Sequence, residues 1–239
     1  MPRFYIDTPL ATDILLTLPE AVCRHIQVLR LQQDDTITLF DGSGSQTDAT
    51  IVEMGKKRVS VQTHTLQQIS RESPLHITLV QAVSSGDRMD YTLQKAVELG
   101  VSRIIPVISE RSVVRLQGER AEKRIQHWQG VIISACEQCG RNTVPEVSPL
   151  QPFAQWVKQP HPAGVNLMLS PQGTRQLKQL ELSTQLSLLA GPEGGLTASE
   201  EAVAIEQGWQ PISLGPRILR TETAAVATMA ALQALWGDM

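Results

Sequence analysis

Two periodicities divide the chain. Up to about residue 70, apolar and polar positions alternate over short runs: Asp35-Thr-Ile-Thr-Leu-Phe40, Ala49-Thr-Ile-Val-Glu-Met54 and Arg58-Val-Ser-Val-Gln-Thr63. A period of two marks half-buried strands. Asp41-Gly-Ser-Gly44 ends the first run, and Gly55-Lys-Lys57 joins the other two as a hairpin. One helix is expected here, over 19–28. About five short strands in so short a stretch predict a compact barrel. The polar run Gln67-Gln-Ile-Ser-Arg-Glu-Ser-Pro74 reads as a linker.

From residue 75 onward the pattern changes to buried strands alternating with helices. Strands are expected at 76–83, 101–108, 166–169, 185–189 and 210–214, and helices at 87–99, 119–138, 197–207 and 221–236. Gly100 closes the first of these helices. Ile125, Trp128, Ile132 and Ala135 give the second its apolar stripe. Such alternation implies an α/β fold, a parallel sheet with helices on both faces. The expected domains are therefore a small β-barrel over 1–70 and an α/β domain over 75–239.

Composition narrows the setting. The 239 residues are 41% apolar, ordinary for a globular chain, and no apolar run approaches the ~18 residues of a membrane span. Met1-Pro-Arg-Phe-Tyr-Ile-Asp7 lacks a signal-peptide core, and the three cysteines form no disulfide framework, so a reducing cytoplasm is expected. A net charge of −3 argues against a general nucleic-acid binder. Between Arg103 and Arg124, however, six basic residues face three acidic ones, enough for a phosphate-facing stripe or for a solvated helix face.

Chemistry concentrates in the last fifty residues. Gly191-Pro-Glu-Gly-Gly195 follows a strand and leads to a capping box, Thr197 with Glu200. Its glycines let backbone approach a ligand closely, yet it is neither a dinucleotide fingerprint nor a Walker loop. Leu214-Gly-Pro-Arg-Ile-Leu-Arg-Thr-Glu-Thr223 repeats the strand, Gly-Pro turn and helix. Both turns fall at carboxyl ends of strands, where α/β folds bind ligands. Ile218 and Leu219, apolar residues in a loop between Arg217 and Arg220, suit a flat aromatic ligand such as adenine. Cys136 and Cys139 form Cys-x-x-Cys without a second pair or a suitably spaced histidine, so no metal is expected. The five histidines make no nucleophilic triad pattern.

These two turns, together with Gly86-Asp-Arg-Met-Asp90, Gln94-Lys-Ala-Val-Glu-Leu-Gly-Val101, Ala135-Cys-Glu-Gln-Cys-Gly-Arg-Asn142, Pro2-Arg-Phe4 and His25-Ile-Gln-Val-Leu-Arg30, resemble the SPOUT superfamily of methyltransferases. More narrowly they resemble the RsmE family of 16S ribosomal RNA (uracil N3)-methyltransferases, along the whole chain. The resemblance implies a PUA-like barrel for RNA, followed by a domain knotted as a trefoil that binds S-adenosylmethionine and shares its site within a homodimer. It departs from the family at Asp34-Asp35, where Gly-Asp is common, and at Ser85, where lysine is frequent.

Carried over residue by residue, the cofactor is expected at Leu169, Ser170, Gly191, Pro192, Glu193, Gly194, Gly195, Leu214, Gly215, Ile218, Leu219 and Thr223. The expected catalytic residues are Arg220, Glu222, Glu137 and Arg141. Uracil N3 carries a proton, so Arg220 would stabilise the ring anion while Glu222 accepts the proton or holds the arginine. Arg141 would orient the target nucleotide. RNA contacts are expected at Arg3, Arg30, Lys95, Arg103 and Arg111, with Lys56-Lys-Arg58 as a further candidate. The expected partner is 16S ribosomal RNA or the small ribosomal subunit, with neither membrane nor metal. Two other readings stand beside this one: a ribose 2′-oxygen methyltransferase of the same superfamily, and a non-catalytic RNA-binding assembly protein.

Overall fold

A computed structural model of the chain describes residues 1–55, 58–161, 164–181 and 183–239. It divides into two compact units. The first comprises 1–72 with 136–144, and the second 73–135 with 145–239.

The first unit is built on β1 (Arg3–Tyr5), β2 (Leu15–Thr17), α1 (Glu20–Val28), β3 (Thr36–Phe40), β4 (Ser45–Met54), β5 (Val59–Thr63) and β6 (Gln67–Gln68). The strands order as β1-β3-β4-β5-β2, with β6 paired to β4. β1 runs parallel to β3 and the remaining pairs are antiparallel. The expected linker at 67–74 thus begins as a strand. α1 turns Val22, Cys23 and Ile26 into a core shared with Phe4, Ile37, Leu39, Ile51, Val59 and Val61. The helix ends in a Schellman motif: Leu31 N–H donates to Ile26 C=O and Arg30 N–H to Gln27 C=O. Arg30 therefore adopts φ +57°, and Asp34, where the family favours glycine, adopts φ +72°.

The second unit contains β7 (His76–Ala82), α2 (Gly86–Glu98), β8 (Val101–Ile108), α3 (Glu119–Cys139), whose end counts with the first unit, β9 (Glu146–Val147), β10 (Gln151–Pro152), α4 (Phe153–Trp156), β11 (Val165–Leu169), β12 (Gln185–Ala190), α5 (Ala198–Glu206), β13 (Gln210–Ile212) and α6 (Thr221–Trp236). The sheet is parallel throughout, ordered β10-β8-β7-β12-β11-β13, with β9 beside β8. Met89, Leu93, Ala96 and Val97, spaced as one helical face, turn α2 inward, and α2 packs with α6. The other face is sealed by Phe153, Trp156, Val157, Ala204 and Trp209 over Val80, Ala82, Val107, Met168 and Leu189.

Sheet order carries the unusual topology. β11 lies between β12 and β13, and the segment 170–184 joining β11 to β12 passes β13 on its far side. There Arg175 bridges Ile212, and a Cβ on Gly173 would come within 2.5 Å of the Ile212 backbone. The chain leaving β13 then returns as α6 to pack on β12 and α2. Threading of this kind is nearly absent from proteins, and here it makes the SPOUT-type knotted sheet.

Candidate active site

Loops at the carboxyl ends of β11, β12 and β13 enclose a cavity of about 240 Å³. It is lined by Leu169 and Ser170, by Gly191, Pro192, Glu193, Gly194 and Gly195, and by Leu214, Gly215, Ile218 and Leu219, so both Gly-Pro turns face one space. Thr223, expected beside them, is exposed on α6 and stands outside the lining. Gly195 and Gly215 adopt φ +68° and +106°, which an L side chain rarely tolerates. Ile218 is 86% exposed, an apolar side chain at the rim.

Three braces hold the first turn. The Thr221 hydroxyl, at the start of α6, donates to Gly191 C=O at 2.6 Å and accepts from Gln81 Nε2 at 3.2 Å. Arg111 donates to Gly194 C=O at 3.0 Å, which commits an expected RNA contact to the cavity wall. Ser85, the family departure, donates its N–H and hydroxyl to Glu193 Oε1 at 2.8 and 2.7 Å, and Arg88 adds a contact at 3.2 Å. Burial alone would raise the Glu193 carboxyl, but these donors outweigh it and hold it below the usual carboxylate range.

Arg220 is the exposed N-cap residue of α6, and Glu222 sits in the first turn with Oε2 buried and unpaired among the described residues. The geometry does not pair the two: no ion pair joins them among the described residues.

None of the four residues expected in catalysis lines the cavity: Arg220 and Glu222 flank its Thr221, and Glu137 and Arg141 belong to the first unit. Glu137 accepts the Tyr5 N–H at 3.0 Å, and burial raises its carboxyl despite that bond. Arg141, 4% exposed, makes a two-pronged pair with Glu72. These bonds pin 136–144 onto the first unit.

Most expected RNA contacts also have protein partners. Arg3 binds Gln46 Oε1 and Asn142 Oδ1 at 3.0 and 2.6 Å and lies over the Phe40 ring. Lys95 pairs with Glu98 at 2.8 Å, and Arg103 donates to Ser148 Oγ at 3.1 Å. Arg30 is exposed. Lys56 and Lys57 of the basic triplet lie outside the described residues. Cys136 is fully buried, its thiol pushed up to about 12 by burial, and no group of three or more His, Cys, Asp or Glu gathers among the described residues.

Thr221, Ala224, Ser213 and Arg217 line the cavity without having been assigned to the cofactor. For Thr221 the available signal was its place as a hydroxyl residue opening a helix directly after the second turn.

Comparison with known proteins accords with this geometry. Residues 71–233 match the RNA methyltransferase domain and residues 18–63 the RNA methyltransferase PUA domain. A ribosomal RNA small subunit methyltransferase E from Buchnera aphidicola is 34% identical, the match covering 100% of this chain and 98% of that protein. The crystal structure of a ribosomal RNA small subunit methyltransferase E from Neisseria gonorrhoeae, bound to S-adenosyl methionine, superposes with a TM-score of 0.96 at 47% identity, over 100% of this chain and 99% of the other. A putative methyltransferase from Legionella pneumophila, in complex with the same cofactor, gives 0.94 at 38% identity over 99% and 98%. With its two domains, threaded sheet and glycine-lined cavity, the chain belongs to the RNA methyltransferase family, among the ribosomal RNA small subunit methyltransferases E.

Proposed function

We propose that this protein methylates N3 of a uridine in small-subunit ribosomal RNA, with S-adenosylmethionine as donor. One observation carries the reading: both Gly-Pro turns line a single cavity, and the second of them, after β13, carries Arg217 and leads directly to Arg220 and Glu222 at the start of α6. The lining fits this cofactor, with apolar Leu169, Leu214, Ile218 and Leu219 for a flat base, glycine backbone for close approach, and a carboxylate for a cation. When bound, the cofactor supplies an electrophilic methyl group on a sulfonium.

The chain's residues must then align the uracil and remove its N3 proton. Arg220 stabilises the anion spread over N3, O2 and O4. Glu222, next to the cavity-lining Thr221, accepts the proton through Oε2, which has no hydrogen-bond partner among the described residues. Glu137 and Arg141 hold the 136–144 segment that carries Asn142. In this reading the protein works in the cytoplasm as a homodimer on the small ribosomal subunit.

Nucleoside mass spectrometry of ribosomal RNA from a deletion strain tests the reaction. Loss of N3-methyluridine is expected; an unchanged level, or loss of a 2′-O-methylated nucleoside instead, rejects the N3 assignment. Arg220→Ala should lower turnover about a hundredfold, as removal of an anion-stabilising donor does. Cofactor affinity should stay within about twofold, and a large loss of binding would reassign the arginine.

A further inference from the structure

Glu193 is the one carboxylate lining the cavity among the described residues, and its side chain is 19% exposed. Oε1 takes two hydrogen bonds from Ser85 and one from Arg88, while Oε2 is buried without a partner among the described residues. Three donors converging on one oxygen favour the ionised group, because a proton placed there would oppose them. The result is a fixed negative charge in the cavity wall, clamped from outside by the start of α2.

We propose that Glu193 senses the charge on the sulfur of the bound cofactor, favouring the cationic sulfonium over the neutral thioether left after methyl transfer. Ser85 and Arg88 are positioning residues that hold the carboxylate for this task. The proposal rests on the cofactor reading above. Methyl transfer leaves the adenosine, ammonium and carboxylate of the ligand unchanged and removes one methyl and one positive charge from the sulfur. A carboxylate in a partly desolvated wall acts strongly on such a charge, and a site that prefers donor to product sheds its product. Among the described residues, Arg88 and Arg111, which brace the same loop, and Arg217, in the cavity lining, are charged groups that share this site with Glu193.

Calorimetric titration of the full-length protein with S-adenosylmethionine and S-adenosylhomocysteine tests this. Glu193→Gln should weaken the methylated ligand about tenfold and the product less than twofold. Ser85→Ala and Arg88→Gln should shift the ratio of affinities in the same direction by smaller factors. The wild-type protein supplies a variant-free check: the preference for the cation should fade as pH drops through the lowered carboxyl pKa of Glu193, whereas Glu193→Gln shows a flat ratio. Equal weakening of both ligands would assign Glu193 to the shared ammonium and overturn the proposal, as would a ratio that no variant and no pH change moves. Failure of the wild-type protein to bind either ligand would instead defeat the cofactor reading itself.

Discussion

The hydroxyl of Thr221 links the final helix to the glycine-rich turn, and removing it should be costly for a single oxygen atom. Thr221→Val keeps the shape of the side chain. It deletes the 2.6 Å bond to Gly191 C=O and the acceptor for Gln81 Nε2. The amide of Gln81 keeps Ala82 C=O at 3.0 Å, but Gly191 C=O retains just a marginal contact at 3.5 Å. One carbonyl, on the half-buried Gly191, thereby loses its short donor, beside a side chain that is 8% exposed. An unpaired buried acceptor costs about 1–3 kcal/mol and the added methyl returns under about 1, so a net loss of about 2 kcal/mol is expected. At roughly 2–4 °C per kcal/mol for a unit of this size, Tm should fall by about 4–8 °C. Urea unfolding followed by tryptophan fluorescence reads this selectively, because Trp128, Trp156, Trp209 and Trp236 all lie in the second unit. The midpoint should drop by about 1 M at unchanged m, and Thr221→Ser should restore most of it. A Thr221→Val protein within about 0.5 kcal/mol of wild type would show that the hydroxyl does not hold the turn.

Two further outcomes follow from the first unit. Arg30→Gly should stabilise the protein by about 1 kcal/mol, because glycine occupies the left-handed end of a Schellman motif without the Cβ penalty; calorimetry showing a lower Tm would contradict the strain. Glu137 has a raised carboxyl pKa, so the stability it allows is fully present below its unfolded pKa and is lost as pH rises through the folded one. Glu137→Gln, which can still accept the Tyr5 N–H, should therefore gain stability relative to wild type at neutral pH and lose that gain in acid; melting curves across pH that stay parallel would refute this.

Long, well-punctuated elements were legible in the sequence. β8 is legible from Val101 to Ile108 because Gly100 closes the preceding helix and six of the eight residues, all but Ser102 and Arg103, are apolar or proline, and α6 from Thr221 to Trp236 because a charged turn precedes a continuous run of helix formers. β1 and β2, three residues each, are too short to show alternation, and their pairing is settled by distant partners such as Phe40 and Val61. α4 is a single turn whose Phe153 and Trp156 owe their conformation to the sheet they cover. The threading could not be read from periodicity, which is blind to the order of strands, and entered through resemblance alone. At the cavity, the glycines announced themselves by backbone freedom. The supports did not: Ser85 lies 108 positions from Glu193, and Thr221 lies 140 from Gln81. Such pairings exist once the sheet brings strand ends together. Arg141 illustrates the converse, since its charge suggested a substrate contact while Glu72, 69 residues away, already satisfies it.

The return of 136–144 to the first unit makes the chain interleaved rather than modular. A fragment beginning at residue 73 would keep Arg141 and Asn142, now 4% and 1% exposed, yet discard Glu72, Gln46 and the Ile69 carbonyl that bind them. It would carry Arg141 without Glu72 and Asn142 without Gln46 on an unsupported loop, and a fragment ending at residue 72 would lack the Asn142 side chain that Arg3 and Gln46 hold. Neither half is a separable part. Recombining the N-terminal half of this chain with the C-terminal half of a relative would succeed only if this nine-residue return, 136–144, travelled with the N-terminal half.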